Sequence, residues 1–140
     1  MWYACAVTND ELIAHARRVL NPQAGPGDRL FGDVGAALIS EKGDLYTGVS
    51  IDTASWGLCA ERSAVAAMAT AGEYRIQKIV AVWRDERDGK LFVLPPCGVC
   101  REFIRSIHQG NLDTQVVMGR DENLSLRELL PRHEWPQELM

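Results

Sequence analysis

The chain has 140 residues, 15 of them Lys or Arg and 19 Asp or Glu, for a formal net charge of −4, and 46% of its side chains are hydrophobic. A chain of this length removes roughly two thirds of its unfolded surface from water, enough for one domain with its own core and no disulfide staples. No basic run exceeds Arg17-Arg18, which argues against nucleic acid as a partner. The longest aliphatic run, residues 34–39, falls far short of the roughly 20 apolar residues that span a bilayer.

The start, Met1-Trp2-Tyr3-Ala4-Cys5-Ala6-Val7, is apolar but lacks a basic n-region, so no export signal and a cytoplasmic location are expected. Thr8-Asn9-Asp10-Glu11 fits a capping box, and apolar residues at helical spacing follow until Asn21-Pro22, predicting a first helix. Residues 23–29, with Gly25, Pro26 and Gly27, are expected to be irregular. Residues 34–40 and 45–50 flank Glu41-Lys42-Gly43-Asp44 and predict a β-hairpin.

An irregular stretch, 51–58, leads into an alanine-rich helix over 59–71 closed by Gly72. Residues 79–83 read as a strand, 85–90 as a charged turn, and 91–94 as a strand running into Pro95-Pro96. A helix over 97–108, a strand over 114–118 and a short helix capped by Ser125 and Glu128 complete the chain. The order α-ββ-α-ββ-α-β-α predicts one α/β domain over residues 1–140, a three-layer sandwich of helices on a mixed sheet of about five strands. Periodicity leaves the strand order open.

Four cysteines, Cys5, Cys59, Cys97 and Cys100, are expected as reduced thiols in a chain without an export signal. Cys59-Ala60-Glu61 opens one predicted helix and Pro96-Cys97-Gly98-Val99-Cys100 opens the next. Free N–H groups at helix starts favour anionic sulfur, the form that binds metal. Cys97 and Cys100, three positions apart, project from one helix face. Three protein ligands leave one tetrahedral position open, the arrangement of a catalytic zinc, and Glu61 lies close enough to exchange protons there.

Other readings stand beside this one. A single C-x-x-C also suits a redox pair or half of a zinc ribbon. Cys5 is either a fourth ligand, making the site structural, or a small buried hydrophobe or free thiol. Glu61 alone would be a solvated carboxylate in a helix's first turn, and His15, His108 and His133 stand at no ligand spacing.

Cys-Ala-Glu followed by Pro-Cys-x-x-Cys is the zinc deaminase signature in its three-cysteine form, and the chain resembles the small cytidine deaminase family, blasticidin S deaminases included. Residues 34–38 (Val-Gly-Ala-Ala-Leu), 46–48 (Tyr-Thr-Gly), 59–64 and 129–131 (Leu-Leu-Pro) carry the resemblance across residues 9–131. It implies one Zn²⁺ per subunit held by Cys59, Cys97 and Cys100, with Glu61 as proton shuttle. It further implies that Ala60 N–H meets the carbonyl of the base and that Arg62 offsets the negative charge of the sulfurs. A small-molecule substrate and a homotetramer follow from the same resemblance.

The implied reaction is hydrolytic release of ammonia from a cytosine-type nucleoside. Ser50 and Asp52 occupy the positions where relatives carry an Asn-x-Glu pair for the ribose. Both are shorter, and blasticidin S deaminases also alter this pair, so another amino-heterocycle or a free base stands as the alternative. Phe31, Trp56 and Trp135 fall near positions where relatives place aromatic residues around the substrate, and each also suits ordinary packing.

Overall fold

The computed structural model describes residues 5–140, so the apolar start at residues 1–4 lies outside the described residues. Helix α1 (Asn9–Arg18) begins in the expected capping box. The Thr8 side chain accepts from Glu11 N, and the Glu11 carboxylate accepts from Thr8 N. The segment expected to be irregular forms strand β1 (Gln23–Ala24), which pairs antiparallel with the start of β2 (Leu30–Ser40). β2 turns back antiparallel into β3 (Leu45–Ile51), as the apolar runs around residues 41–44 predict.

Helix α2 (Ala60–Thr70) follows, then β4 (Ile76–Arg84), β5 (Leu91–Leu94), helix α3 (Gly98–Ile107), β6 (Gln115–Gly119), β7 (Glu122–Ser125) and the four-residue α4 (Leu126–Leu129). β2 lies between β3 and β4. On its other edge, β4 pairs antiparallel with β5 along one half and parallel with β6 along the other, and β7 closes the sheet antiparallel to β6. The sheet thus has seven strands, not about five. The two additions are β1 and β7, short segments in which polar or exposed residues hide any apolar alternation.

Strand alternation divides the core into two layers. Ala36, Leu38, Ile79, Ala81 and Val116 face one side, where they pack with Ala60, Ala64, Val65 and Met68 of α2, Ile104 of α3 and Leu126 of α4. Ala37, Ile39, Val80, Val82 and Val117 face the other, against Leu12 and Ala16 of α1. Helices therefore cover both faces, as the order of predicted elements implies.

The approach of α2 to the sheet is unusually close at Gly48. A Cβ built on this glycine would stand 2.4 Å from the Ala64 backbone nitrogen and 2.7 Å from the Ser63 carbonyl carbon. Neither is a movable side-chain tip. Any side chain at position 48 therefore lifts α2, and with it the start of that helix. Gly48→Ala is expected to cost about 1–3 kcal/mol, the usual range for overpacking, seen as a lower urea midpoint at unchanged slope. An unchanged midpoint would show that α2 adjusts at no cost.

Candidate metal and active site

Helices α2 and α3 start at the same end of the sheet. Before α2, Ile51 and Leu58 exchange backbone hydrogen bonds of 2.9 and 2.7 Å that pinch off residues 52–57. Inside that loop the Thr53 hydroxyl accepts from Gly57 N at 3.0 Å, and Gly57 takes φ +62°, a conformation glycine adopts without strain. The loop delivers Cys59 as the residue capping α2. Before α3, β5 ends at Leu94 opposite Ala81, and Pro95-Pro96 leads to Cys97, the capping residue of α3. Arg101 fixes that turn by donating to Pro96 O at 2.8 Å and Leu129 O at 2.9 Å.

Three thiol sulfurs meet here. Those of Cys59, Cys97 and Cys100 lie within 4.8 Å of one another, and Cys59 Sγ is 3.6 Å from Cys97 Sγ. Sulfurs bonded to a tetrahedral ion at about 2.3 Å stand about 3.8 Å apart, whereas a disulfide would require about 2.05 Å. All three cysteines are free. Burial pushes the Cys97 thiol up, but hydrogen bonds from N–H groups at the start of α3 and from the Cys100 and Cys59 side chains outweigh it, and the group sits below the usual thiol range. Cys100 is pushed well up by burial and by the charge of Glu61. A cation is what stabilises its thiolate in this setting.

Arg62 supplies a further sign of fit. Its Nη2 lies 3.7 Å from Cys59 Sγ and 3.5 Å from Gly57 O, and its buried Nε has no hydrogen-bond partner among the described residues. Contact with Cys59 raises the guanidinium further above its ordinary value. Three thiolates around a divalent ion leave one net negative charge, which this guanidinium offsets. The donor set, the sulfur spacing and the adjoining cation all suit a zinc ion.

Glu61 is only 6% exposed, and burial holds its carboxyl above the usual carboxylate range, with Arg62 pulling the other way. It lines a cavity of about 440 Å³ together with Cys59, Cys97 and Ala60, a volume suited to a small molecule. Of the residues singled out in the sequence, Ser50, Asp52 and Trp56 also line this cavity. Trp56 is 89% exposed, at the rim.

Two aromatic residues are placed elsewhere. Phe31 is half-buried and does not line the cavity; its ring occupies the space beside Gly25, where an added Cβ would come within 2.6 Å. Trp135, 82% exposed, borders a separate hollow with Arg105, Arg127 and His133. Cys5 packs beside the α1 layer and not with the other three thiols. Leu30, Asp33, Leu58, Leu94 and Pro95 also line the cavity, and sequence patterning did not single them out. The apolar and proline residues flanking the two cysteine motifs were the available signal for three of these, 58, 94 and 95.

The profile of the cytidine and deoxycytidylate deaminase zinc-binding region matches residues 5–117. The chain belongs to this family. Cytidine deaminase of Halalkalibacterium halodurans is 34% identical over 104 residues, covering 70% of this chain and 74% of the relative. Blasticidin-S deaminase of Bacillus cereus is 30% identical over 103 residues, with the same two coverages. Among solved structures, cytidine deaminase from Mycobacterium leprae superposes with a TM-score of 0.69 at 28% identity, over 88% of this chain and 97% of that one. As a zinc deaminase family member the chain carries one metal centre of three thiols. Arg62→Ala is expected to weaken zinc affinity about 10-fold or more, measured by chelator competition; equal affinity would show that its contact with Cys59 is incidental.

Proposed function

We propose that the protein is a zinc-dependent hydrolase that replaces the exocyclic amine of a cytosine-type nucleoside by oxygen, releasing ammonia. The observation that carries this reading is the gathering of three sulfurs within 4.8 Å of one another beside a buried carboxyl, at a cavity of a size suited to a small molecule. Cys59, Cys97 and Cys100 hold the ion. Bound zinc supplies a Lewis acid that acidifies a water at neutral pH.

The chain's own groups perform the remaining tasks. Glu61, whose carboxyl burial holds above the usual carboxylate range, takes the proton of the attacking water, delivers it to the ring nitrogen beside the reacting carbon, and then serves the departing amine. Ala60 is the first residue of α2, so its N–H has no partner within the helix and is available to the carbonyl of the ring. Asp52 and Trp56 face the part of the substrate that extends towards solvent. Among the described residues no Lys, Arg or His lines the cavity, which favours an unphosphorylated nucleoside over its phosphate ester.

A second reading, an amino-heterocycle such as blasticidin S or a free base, is supported by one feature of the wall. The Ser50 hydroxyl is already engaged, donating to Asp33 Oδ1 at 3.1 Å and accepting from Val34 N at 3.2 Å. It is therefore not free to take the place of an asparagine amide on a ribose. Ammonia release from cytidine, deoxycytidine, deoxycytidylate, cytosine and blasticidin S separates these substrates.

Glu61→Gln is expected to lower turnover by about a hundredfold to ten-thousandfold with one zinc per chain retained by elemental analysis, and Cys97→Ser to lose the zinc. Undiminished turnover in the first variant, or full zinc in the second, removes the assigned role.

The assembly we propose is a homotetramer in which Trp135 approaches a neighbour's cavity. Its support is the exposed apolar surface at Phe92, Val99, Phe103 and Trp135, a type of surface that subunit contacts cover. Sedimentation at working concentration is expected to give four chains per particle, and a monomer would reject the assembly. We place the protein in the cytoplasm, where the three thiols stay reduced. None of the described helices is long and apolar enough to cross a membrane.

A further inference from the structure

The cavity wall carries an acidic side chain with an unusual setting. Asp33 and Val34 are consecutive, yet both line the cavity, although a regular strand sends successive side chains to opposite faces. The cause is local. The pairing of β2 with β3 shifts register between Phe31 and Gly35, and Gly32 adopts φ +72°. The same irregular step leaves the Phe31 ring off the cavity and brings the Asp33 carboxylate onto it.

That carboxylate is held in place. Val34 N–H donates to Ser50 Oγ, and Ser50 therefore turns its own proton towards Asp33 Oδ1. The second oxygen of Asp33 has no hydrogen-bond partner among the described residues, and neither does the carboxylate of Asp52 on the same wall. Glu61 is the third acidic group of the cavity, and the lining contains no basic side chain. A carboxylate only accepts hydrogen bonds, so Asp33 and Asp52 present acceptors, and no cationic side chain lines the cavity beside them among the described residues. The ring of a substrate must reach Glu61 and the thiols, which leaves its remaining part to meet Asp33 and Asp52.

The geometry points to Asp33 as a specificity-determining residue: oriented by Ser50, its carboxylate accepts a hydrogen bond from a protonated amine on the part of the substrate outside the cytosine-type ring. This rests on the deaminase reading and names the substrate class within it, cytosine derivatives bearing a cationic substituent. A charge-assisted bond of this kind is about twice as strong as one from a neutral hydroxyl.

The test compares uridine with 5′-amino-5′-deoxyuridine and 3′-amino-3′-deoxyuridine, product-like compounds that do not react, by calorimetric binding to the zinc-loaded protein. In parallel, ammonia release is followed from the corresponding cytidines. At least one amino compound is expected to bind about tenfold tighter than uridine, with a matching fall in KM for the cytidine counterpart. Asp33→Asn, which keeps the shape and a partner for Ser50, is expected to reduce the preference to about twofold or less.

A measurement on the unaltered protein stands independently of that variant's folding: the preference should vanish above the pKa of the free amine. Equal binding of uridine and both amino compounds overturns the assignment, as does a preference that survives Asp33→Asn or amine deprotonation. A preference without ammonia release from any cytidine keeps the role of Asp33 and refutes the deaminase reading. Ammonia release without a preference does the reverse.

Discussion

Three sulfurs from two helices must come within bonding reach of one ion, and most of the architecture around the site serves that requirement. Cys59 and Cys97 are 38 residues apart in sequence and 3.6 Å apart at their sulfurs. Neither thiol can reach the other unless α2 and α3 begin at the same end of the sheet and lie on the same face. Alternation in β2 and β4 supplies the common apolar floor on which both helices rest. The missing side chain at Gly48 sets how close α2 comes to that floor. The Ile51–Leu58 bridge and the Pro95-Pro96 turn then bring each cysteine to its helix start.

The electrostatics of the site follow from the same burial. Cys100 is fully buried and Glu61 nearly so, and water-poor surroundings disfavour the charged form of each. A divalent cation reverses that balance for the thiols, and the helix starts assist through their unpaired N–H groups. Arg62, whose buried Nε has no hydrogen-bond partner among the described residues, fits a place beside an anionic sulfur cluster. Burial keeps the Glu61 carboxyl above the usual carboxylate range, in line with the proton-carrying role proposed for it.

Chemistry and recognition are placed on different parts of the scaffold. The metal centre and Glu61 belong to the starts of α2 and α3, rigid elements locked into the core. The wall proposed to meet the rest of a substrate comes from the start of β2, the end of β3 and the loop after it. That is where Ser50, Asp52 and Asp33 lie and where the strand register is irregular. A fold shared with cytidine deaminases at 28% identity can keep the reacting centre and change what it accepts, because the two sets of residues have different structural supports.

How much of this was legible in the sequence depends on the range of the interaction involved. The two capping boxes, the hairpin around residues 41–44, the strand at 91–94 and the cysteine-bearing helix starts are local patterns, decided by residues a few positions apart, and the structure has them as read. The metal centre was legible too, since two motifs with fixed internal spacing constrain their own ligands. β1 and β7 were not, because each is a short strand made by a partner's hydrogen bonds and not by its own alternation.

The strand order, the engagement of Ser50 and the presence of Asp33 on the cavity wall were beyond reach for a related reason. The strand order rests on pairings between strands distant in sequence, and the other two on a register shift and contacts between β2 and β3; none of these leaves a periodic trace in the chain. The sequence by itself determined the three-thiol metal centre of this protein, since its ligands are written in short motifs. Only the tertiary structure decided the wall around it, since a pocket is the sum of side chains that meet across strands.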